Sequence, residues 1–301
     1  MLQPLRWKKP RTIFVCSMTD LFYEGHADGW INKVWAVMAL CPPHTFIVLT
    51  KRPERMREYI SLEDTNLDIH EILSFEASEK WGCHKEVEAL GGKYFSGQYG
   101  EFGMCELPPV YEDVEFDWPL KNAWLGVSVE DQKAADERIP VLLETPAAVR
   151  FLSVEPLLGA IKLGSFLWDG RSDCRESVLD HLNWVIVGGE SGQKANPMHP
   201  DWARQLRDQC KAAGVPFFFK QHGSWLPWEP DDAPFWKSQA GGYQDGHTLF
   251  PEDMDTNSKW ADGLDFVLDG QDHVVFQRVG KKAAGRLLDG VEHNEWPEVK
   301  P

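Results

Sequence analysis

The stretch AWLGVSVEDQKAADERIPVLLETPAAVRFLSVE, residues 123–155, decides the fold class. Its two ends, residues 123–129 and 148–155, are short apolar runs rich in β-branched and aromatic residues, a pattern typical of buried strands. Between them, residues 132–145 have the composition and spacing of a helix. Two strands that are apolar on both faces and joined by a helix predict a parallel strand–helix–strand unit.

The same alternation continues on both sides of this unit. Further strands are predicted at residues 12–17, 45–50, 183–191 and 215–221, and further helices at residues 30–40, 53–60 and 199–214. No GxGxxG sequence opens any of these helices, which argues against a dinucleotide-binding fold. The alternation alone is compatible with two architectures: an open doubly wound sheet, and a closed or partial barrel.

Two long segments interrupt the alternation. Residues 61–122 contain a predicted helix at 67–82 and then a glycine-rich stretch that is too long for an ordinary connection. Residues 224–265 place tryptophans among prolines and acidic residues, either as a cover over a site or as a small satellite core: Trp225, Trp228, Trp236 and Trp260. Residues 278–298 predict one more helix.

Composition limits the class of protein. The 301 residues include 31 basic and 47 acidic side chains, a formal charge of −16, and 43% are hydrophobic. This apolar content excludes a largely disordered chain, and the charge argues against unspecific binding to nucleic acid. We expect a single α/β domain over residues 1–290, with the two segments as insertions, followed by a tail at 291–301.

The cysteines and the N-terminus bear on metal binding and location. No two of the six cysteines are closer than 22 residues, so no CxxC or zinc-finger spacing is present. The N-terminus lacks the apolar stretch of a signal peptide, and the apolar run at 34–41 is too short to span a membrane. These features predict a reduced, cytoplasmic protein without a membrane partner, in which Cys16 and Cys210 are small core residues.

Polar side chains follow every predicted strand. Parallel α/β folds bind their ligands at the carboxyl ends of the strands, so carboxylates and cations there would suit a polar or zwitterionic ligand. The alternative is that the strands end in polar residues because they reach solvent. The candidate ligand-binding residues are Ser17, Asp20, Lys51, Arg52, Ser128, Glu130, Ser153, Glu155, Glu190, Lys220, Gln221 and His222.

Individual catalytic roles are less defined. Lys51 and Arg52 precede the helix opened by Pro53, where an anion could bind, and VGGESG at 187–192 could let backbone approach a ligand. His199 and His222 are candidate acid–base groups because histidine titrates near neutral pH. Each of these features also has an ordinary structural interpretation, and no catalytic triad can be assigned from spacing.

Six blocks carry a resemblance to a known family. They are FVCSMTDLF (14–22), residues 44–59, residues 124–159, LNWVIVGGESG (182–192), residues 197–223 and VGKKAAGRLLDG (279–290). Together they resemble a family of phage and prophage proteins of unknown function, which is similar to radical S-adenosylmethionine enzymes in carrying an N-terminal three-cysteine motif. The resemblance implies a partial parallel (β/α) barrel related to TIM barrels, a [4Fe–4S] cluster held by three thiolates, and S-adenosylmethionine as ligand.

This chain departs from the family at its start. In the family the cysteine motif precedes the segment that matches PLRWKKPR, which lies here at residues 4–11. We therefore expect no cluster and no radical chemistry in this chain, and expect a late start codon or a truncation rather than a natural short form. The expected full form is radical-SAM-like, with an unknown small-molecule or macromolecular substrate. The alternative is a non-catalytic phage protein that binds a host component.

Overall fold

The computed structural model describes residues 2–73, 82, 84–89, 116–164, 177–227, 264–269 and 272–298. All six predicted strands are present and form one parallel sheet. Their bounds are β1 (Thr12–Val15), β2 (Thr45–Thr50), β3 (Ala123–Ser128), β4 (Val149–Val154), β5 (Trp184–Gly188) and β6 (Phe217–Gln221).

Helices alternate with these strands as the sequence predicted. Their bounds are α1 (Asp28–Ala39), α2 (Pro53–Ser61), α3 (Glu63–Ile72), α4 (His84–Ala89), α5 (Gln132–Glu144), α6 (Pro200–Ala213) and α7 (Lys281–Ala284). Proline opens α2 and α6, where its missing N–H removes no helical hydrogen bond. Gly214 ends α6 in the left-handed conformation, with φ of 69°, that favours glycine at this position.

The order of the strands settles how the sheet is wound. The order is β1-β2-β3-β4-β5-β6, which follows the chain without reversal. A doubly wound sheet reverses its order at a switch point, whereas a singly wound sheet of this kind is the topology of an unclosed (β/α) barrel. The α/β prediction is confirmed, and the doubly wound alternative is excluded.

The chain divides into two compact units. The first unit comprises Met1–Val127 and Arg138–Phe151, and the second comprises Ser128–Glu137 and Leu152–Pro301. The expectation of one domain over residues 1–290 stays a prediction.

Each unit has its own apolar core. In the first unit the Trp35 indole is fully buried, and its ring lies 6.2 Å from Tyr59 and 5.5 Å from Trp118, between centroids. In the second unit α6 packs on β5 and β6 through Leu206 and Cys210, both fully buried. In both units apolar side chains are therefore buried as the sequence predicted. The exception is β1, predicted as a buried strand, whose residues are exposed or half-buried, with Phe14 46% exposed.

The second unit contains structure that the sequence did not predict. A three-stranded antiparallel sheet in the order β7-β9-β8 consists of β7 (Trp225–Pro227), β8 (Leu264–Asp269) and β9 (Asp272–Arg278). Of the four tryptophans in the second insertion, Trp225 is buried here and the other three lie outside the described residues. Most of the first insertion, including residues 74–81 of its predicted helix, also lies outside them.

The helix predicted within residues 278–298 is mostly wrong. Only the four residues of α7 are helical, and the chain continues as the hairpin β10 (Leu287–Leu288) and β11 (Val291–Glu292). Asp289 and Gly290 form its two-residue turn with φ of 55° and 74°. An Asp-Gly pair with both φ angles positive is a strong signal for a tight hairpin, and it outweighs the helical spacing around it.

The cysteine and membrane predictions have separate outcomes. Cys210 is fully buried, as expected, whereas Cys16 is only half-buried and has a positive φ of 53°. Within the described part of the chain, no helix is both long enough and apolar enough to cross a membrane. The cytoplasmic location stays a prediction.

Candidate functional site

Asp20 is the centre of a hydrogen-bonded cluster in the first unit. Its carboxylate accepts hydrogen bonds from Phe22 N (2.9 Å), Thr50 Oγ1 (2.8 Å), Lys51 N (3.0 Å) and Arg52 Nη1 (3.0 Å). These donors tie the segment after β1 to the end of β2. We call Asp20, Thr50, Lys51 and Arg52 the Asp20 cluster.

Arg52 extends this cluster outward. Its Nε donates to Glu24 Oε1 at 2.7 Å, and its guanidinium lies 5.1 Å from the centroid of the Tyr23 ring. The hydrogen bond with Glu24 raises the pKa of Arg52, and a backbone hydrogen bond together with Arg52 lowers the pKa of Glu24. Ser17, the remaining candidate of the first unit, is exposed in the turn after β1.

Glu155 is the centre of a second cluster, in the second unit. Glu155 Oε2 lies 2.7 Å from Lys220 Nζ, and Glu155 Oε1 accepts a hydrogen bond of 3.0 Å from Gln221 Nε2. The side chains of Glu155 and Lys220 are 20% and 48% exposed, whereas Gln221 is only 4% exposed. We call these three residues the Glu155 cluster.

A β-bulge brings Lys220 and Gln221 to the same carboxylate. Consecutive residues of a regular strand point to opposite faces, so both could not normally reach one partner. Val187 pairs with Phe219, but Gly188 pairs with Gln221, so the register shifts by one residue at Lys220. A bulge of this kind re-aims side chains, and it is the local feature that assembles this cluster.

Glycines give the cluster its close packing. A Cβ on Gly188 would lie 3.3 Å from Glu155 Cδ, and a Cβ on Gly189 would lie only 2.0 Å from the carbonyl oxygen of His222. Gly223, with φ of 89°, would place a Cβ 2.1 Å from Glu190 O. Gly189 of VGGESG and Gly223 therefore allow close backbone contact between the segments that follow β5 and β6, whereas Gly188 meets the Glu155 side chain and a Cβ on Gly192 would meet no atom within 4 Å.

The orientation of the Gln221 amide is defined by its two acceptors. Its Nε2 donates to Glu155 Oε1 and, at 3.3 Å, to Gly189 O, so a flipped amide would turn its oxygen toward two other oxygens. The buried Oε1 has no donor among the residues that the structure describes. A buried acceptor without a donor costs about 1–3 kcal/mol, which a ligand donor would recover.

The ends of β3 and β4 adjoin this cluster through the backbone. Val129 N donates to Ser153 O at 3.0 Å, and Leu157 N donates to Gly188 O at 2.9 Å. Ser128 and Ser153 are buried, and Leu158 N donates to the Glu130 carbonyl at 2.8 Å. These bonds join the segments that carry the four candidates from β3 and β4.

The remaining candidates of the second unit have structural contacts of their own. Glu190 Oε2 accepts two hydrogen bonds of 2.8 Å from Asn196, one from its backbone and one from its amide. A ring nitrogen of His222 lies 2.8 Å from Leu287 O, and His222 packs edge-on against Phe219. His199 caps α6, accepting from Asp201 N at 3.2 Å. None of these contacts brings a side chain to Glu155.

The C-terminal segment covers the outer edge of β6, which sequence reasoning missed. Phe219 N donates to His293 O at 2.9 Å, Glu295 N donates to Phe217 O at 3.3 Å, and Phe218 pairs with Asn294. The block VGKKAAGRLLDG was a signal that this region matters, but nothing in it indicates which strand it meets. Residues counted as a tail are therefore part of the edge of the sheet.

A cleft of about 560 Å³ lies near the beginning of β6, between α6 and the β10–β11 hairpin. It is lined partly by Arg207, Lys211, Asp289 and Glu295, and none of the predicted site residues lines it. Burial opposes the charge of Asp289, but hydrogen bonds from Arg207 and Arg204 outweigh it and lower the pKa of that carboxyl.

The described residues do not fit an iron–sulfur cluster. Such a cluster needs three thiolates close together, and no group of three or more cysteine, histidine or acidic side chains in the described ranges could hold a metal ion. Burial, with a smaller effect of the Glu295 charge, raises the pKa of Cys210 to about 12, which disfavours the thiolate that metals require.

Comparisons with known proteins identify a family and nothing narrower. No curated protein and no solved structure matches the chain. One family model, described as "Protein of unknown function (DUF5131)", matches residues 1–297. Because this match covers nearly the whole chain, the protein belongs to the DUF5131 family of proteins of unknown function.

Proposed function

We propose that the Glu155 cluster binds a small zwitterionic ligand at the carboxyl ends of β4, β5 and β6. The observation that carries this proposal is the buried Oε1 of Gln221, which has no donor among the described residues. An ammonium group of a ligand would supply that donor and would also meet the charge of Glu155. The 48% exposed side chain of Lys220 would meet the ligand's carboxylate.

S-adenosylmethionine is the first ligand of this class to test. It carries an ammonium and a carboxylate at one end, and the resemblance to radical S-adenosylmethionine enzymes points to the same compound. Radical chemistry, in a form that carries the cysteine motif, is the finer part of this proposal and rests on the resemblance alone.

The test is calorimetric titration of the purified chain with S-adenosylmethionine. We expect binding by the wild-type chain and a loss of about tenfold or more in Gln221→Met, which keeps the side-chain length but removes the amide oxygen and nitrogen. Gln205→Met is the matched control, because Gln205 is exposed on α6. Glu155→Gln should also weaken binding, since it removes the charge that faces the ammonium.

Two results would contradict the proposal. One is a folded wild-type chain that does not bind S-adenosylmethionine or free methionine at millimolar concentration. The other is equal binding by Gln221→Met and Gln205→Met. The first result, with folding verified by circular dichroism, would favour the non-catalytic binding protein. The second would show that the ligand binds outside the Glu155 cluster.

A further inference from the structure

Arg286, between α7 and β10, lacks the acidic partner that neighbouring arginines have. Arg204 and Arg207 both form ion pairs with Asp289. The half-buried guanidinium of Arg286 has no carboxylate within 4 Å among the described residues, and its buried Nε has no acceptor there. Arg286 is therefore a cation without a paired carboxylate in a chain whose formal charge is −16.

The contacts that Arg286 does make hold it in place. Its Cζ lies 5.5 Å from the centroid of the Phe218 ring, and its Nη2 donates to Asn294 Oδ1. The nearest acid in this network, Glu292, accepts a hydrogen bond of 2.7 Å from Asn294 Nδ2 and so meets Arg286 only through Asn294. The guanidinium is therefore fixed in direction, with donor capacity remaining on its edge.

An exposed indole lies on the same phenylalanine. The ring of Trp296 is 6.0 Å from Phe218 and 4.4 Å from Trp184, between centroids, and Trp296 is 45% exposed. Trp184 Nε1 donates to Glu295 O at 2.8 Å, which anchors the segment that carries Trp296. Phe218 thus has a guanidinium and a partly exposed aromatic surface within 6.0 Å of its ring.

We infer that Arg286, Phe218 and Trp296 form a binding site for a planar organic anion. The carboxylate or phosphate of the ligand would accept hydrogen bonds from Arg286, and its ring would pack against Trp296. The guanidinium would recognise the charge of such a ligand, and the indole would recognise its flat apolar ring. The inference does not depend on the Glu155 cluster.

Three probes separate the two parts of this site: phenyl phosphate, inorganic phosphate and phenol. We expect phenyl phosphate to bind the full chain at least about tenfold more tightly than inorganic phosphate or phenol does, as measured by calorimetry at low ionic strength. Arg286→Lys should weaken phenyl phosphate about tenfold, since lysine keeps the charge but loses the planar fork. Trp296→Ala should bring phenyl phosphate close to inorganic phosphate.

The matched control is Arg11→Lys, because the guanidinium of Arg11 also lies over an aromatic ring, 4.6 Å from that of Trp7. This variant should bind phenyl phosphate as the wild type does, and so should Gln221→Met. The inference is overturned if phenyl phosphate does not bind at 10 mM, or if it binds no better than inorganic phosphate. Equal losses in Arg286→Lys and Arg11→Lys would overturn it as well.

Discussion

The Asp20 cluster and the Glu155 cluster both follow the ends of parallel strands, but they use their polar groups differently. Asp20 accepts hydrogen bonds from four protein donors, three of them within one three-residue segment of the chain. In the Glu155 cluster, the buried Oε1 of Gln221 has no donor among the described residues. The first arrangement holds two loops together, whereas the second has hydrogen-bonding capacity left for a ligand.

The two clusters also differ in what holds them. The Asp20 cluster is stabilised by hydrogen bonds to side chains, so removing one polar group should remove several of these bonds. The Glu155 cluster adjoins glycines that leave no room for a side chain: Gly188 lies against the Glu155 side chain, and Gly189 and Gly223 lie against neighbouring backbone. Polar substitutions should therefore be costly in the first cluster, and added methyl groups should be costly in the second.

The largest expected effect is that of Gly189→Ala. Its Cβ would lie 2.0 Å from His222 O and 2.6 Å from His222 C, both backbone atoms that cannot move alone. We expect the free energy of unfolding, measured in urea, to fall by about 3 kcal/mol or more. Gly29→Ala is the control, because nothing lies within 4 Å of a Cβ at that position in α1. Wild-type stability of Gly189→Ala would contradict the account of glycine contact.

Asp20→Ala should have the next largest effect. It removes the acceptor of the buried Thr50 hydroxyl and of the backbone amides of Phe22 and Lys51. We expect a loss of about 2 kcal/mol in the free energy of unfolding. Glu24→Ala, which removes the exposed partner of Arg52, should cause no measurable change. Similar losses in the two variants would show that Asp20 is an ordinary surface acid.

Gly188→Ala should have a smaller effect on stability than on binding. Its Cβ would lie 3.3–3.4 Å from the Glu155 side chain, which can shift by a few tenths of an ångström. We expect the free energy of unfolding to change by less than about 1 kcal/mol. Titration with S-adenosylmethionine should nevertheless show weaker binding, because the carboxylate moves away from Lys220 and Gln221. Unchanged binding would mean that the position of Glu155 is not critical.

Thiol labelling, which changes no residue of the sequence, has the smallest expected effect on the fold. It compares the reactivity of one cysteine from each unit. Cys210 is fully buried and its pKa is raised to about 12, so at pH 8 only about one thiol in 10⁴ is ionised. Cys16 is half-buried, after β1. We expect iodoacetamide at pH 8 to modify Cys16 and to leave Cys210 unmodified until urea is added, as followed by peptide mass spectrometry. Early labelling of Cys210 would contradict its burial.

Much of the central sheet was predictable because buried parallel strands need apolar residues on both faces. Each of the six strands lies within its predicted range, as TFIVLT at 45–50 shows for β2. The hairpin at 287–292 was not predicted, because the helical spacing of KKAAGRLL conceals an Asp-Gly turn. Local patterns identify elements well when burial and backbone preference agree, and poorly when they compete.

The candidate site was predictable only as a set of strand ends. Twelve residues were named by the rule that ligands bind at the carboxyl ends of parallel strands, yet three of them form the Glu155 cluster and three others belong to the Asp20 cluster. Arg286, Phe218 and Trp296 were not among the twelve. Arg286 and Trp296 each lie near Phe218 of β6, with whose edge residues 293–295 pair, a contact between distant parts of the chain.

By itself, the sequence determined the elements and their alternation, because burial of apolar residues follows a period that the order of residues displays. The tertiary structure alone decided which polar groups meet. Lys220 and Gln221 both reach Glu155 because β5 and β6 pair with a bulge at Lys220. A bulge is a property of two strands together, so neither strand's sequence specifies it alone.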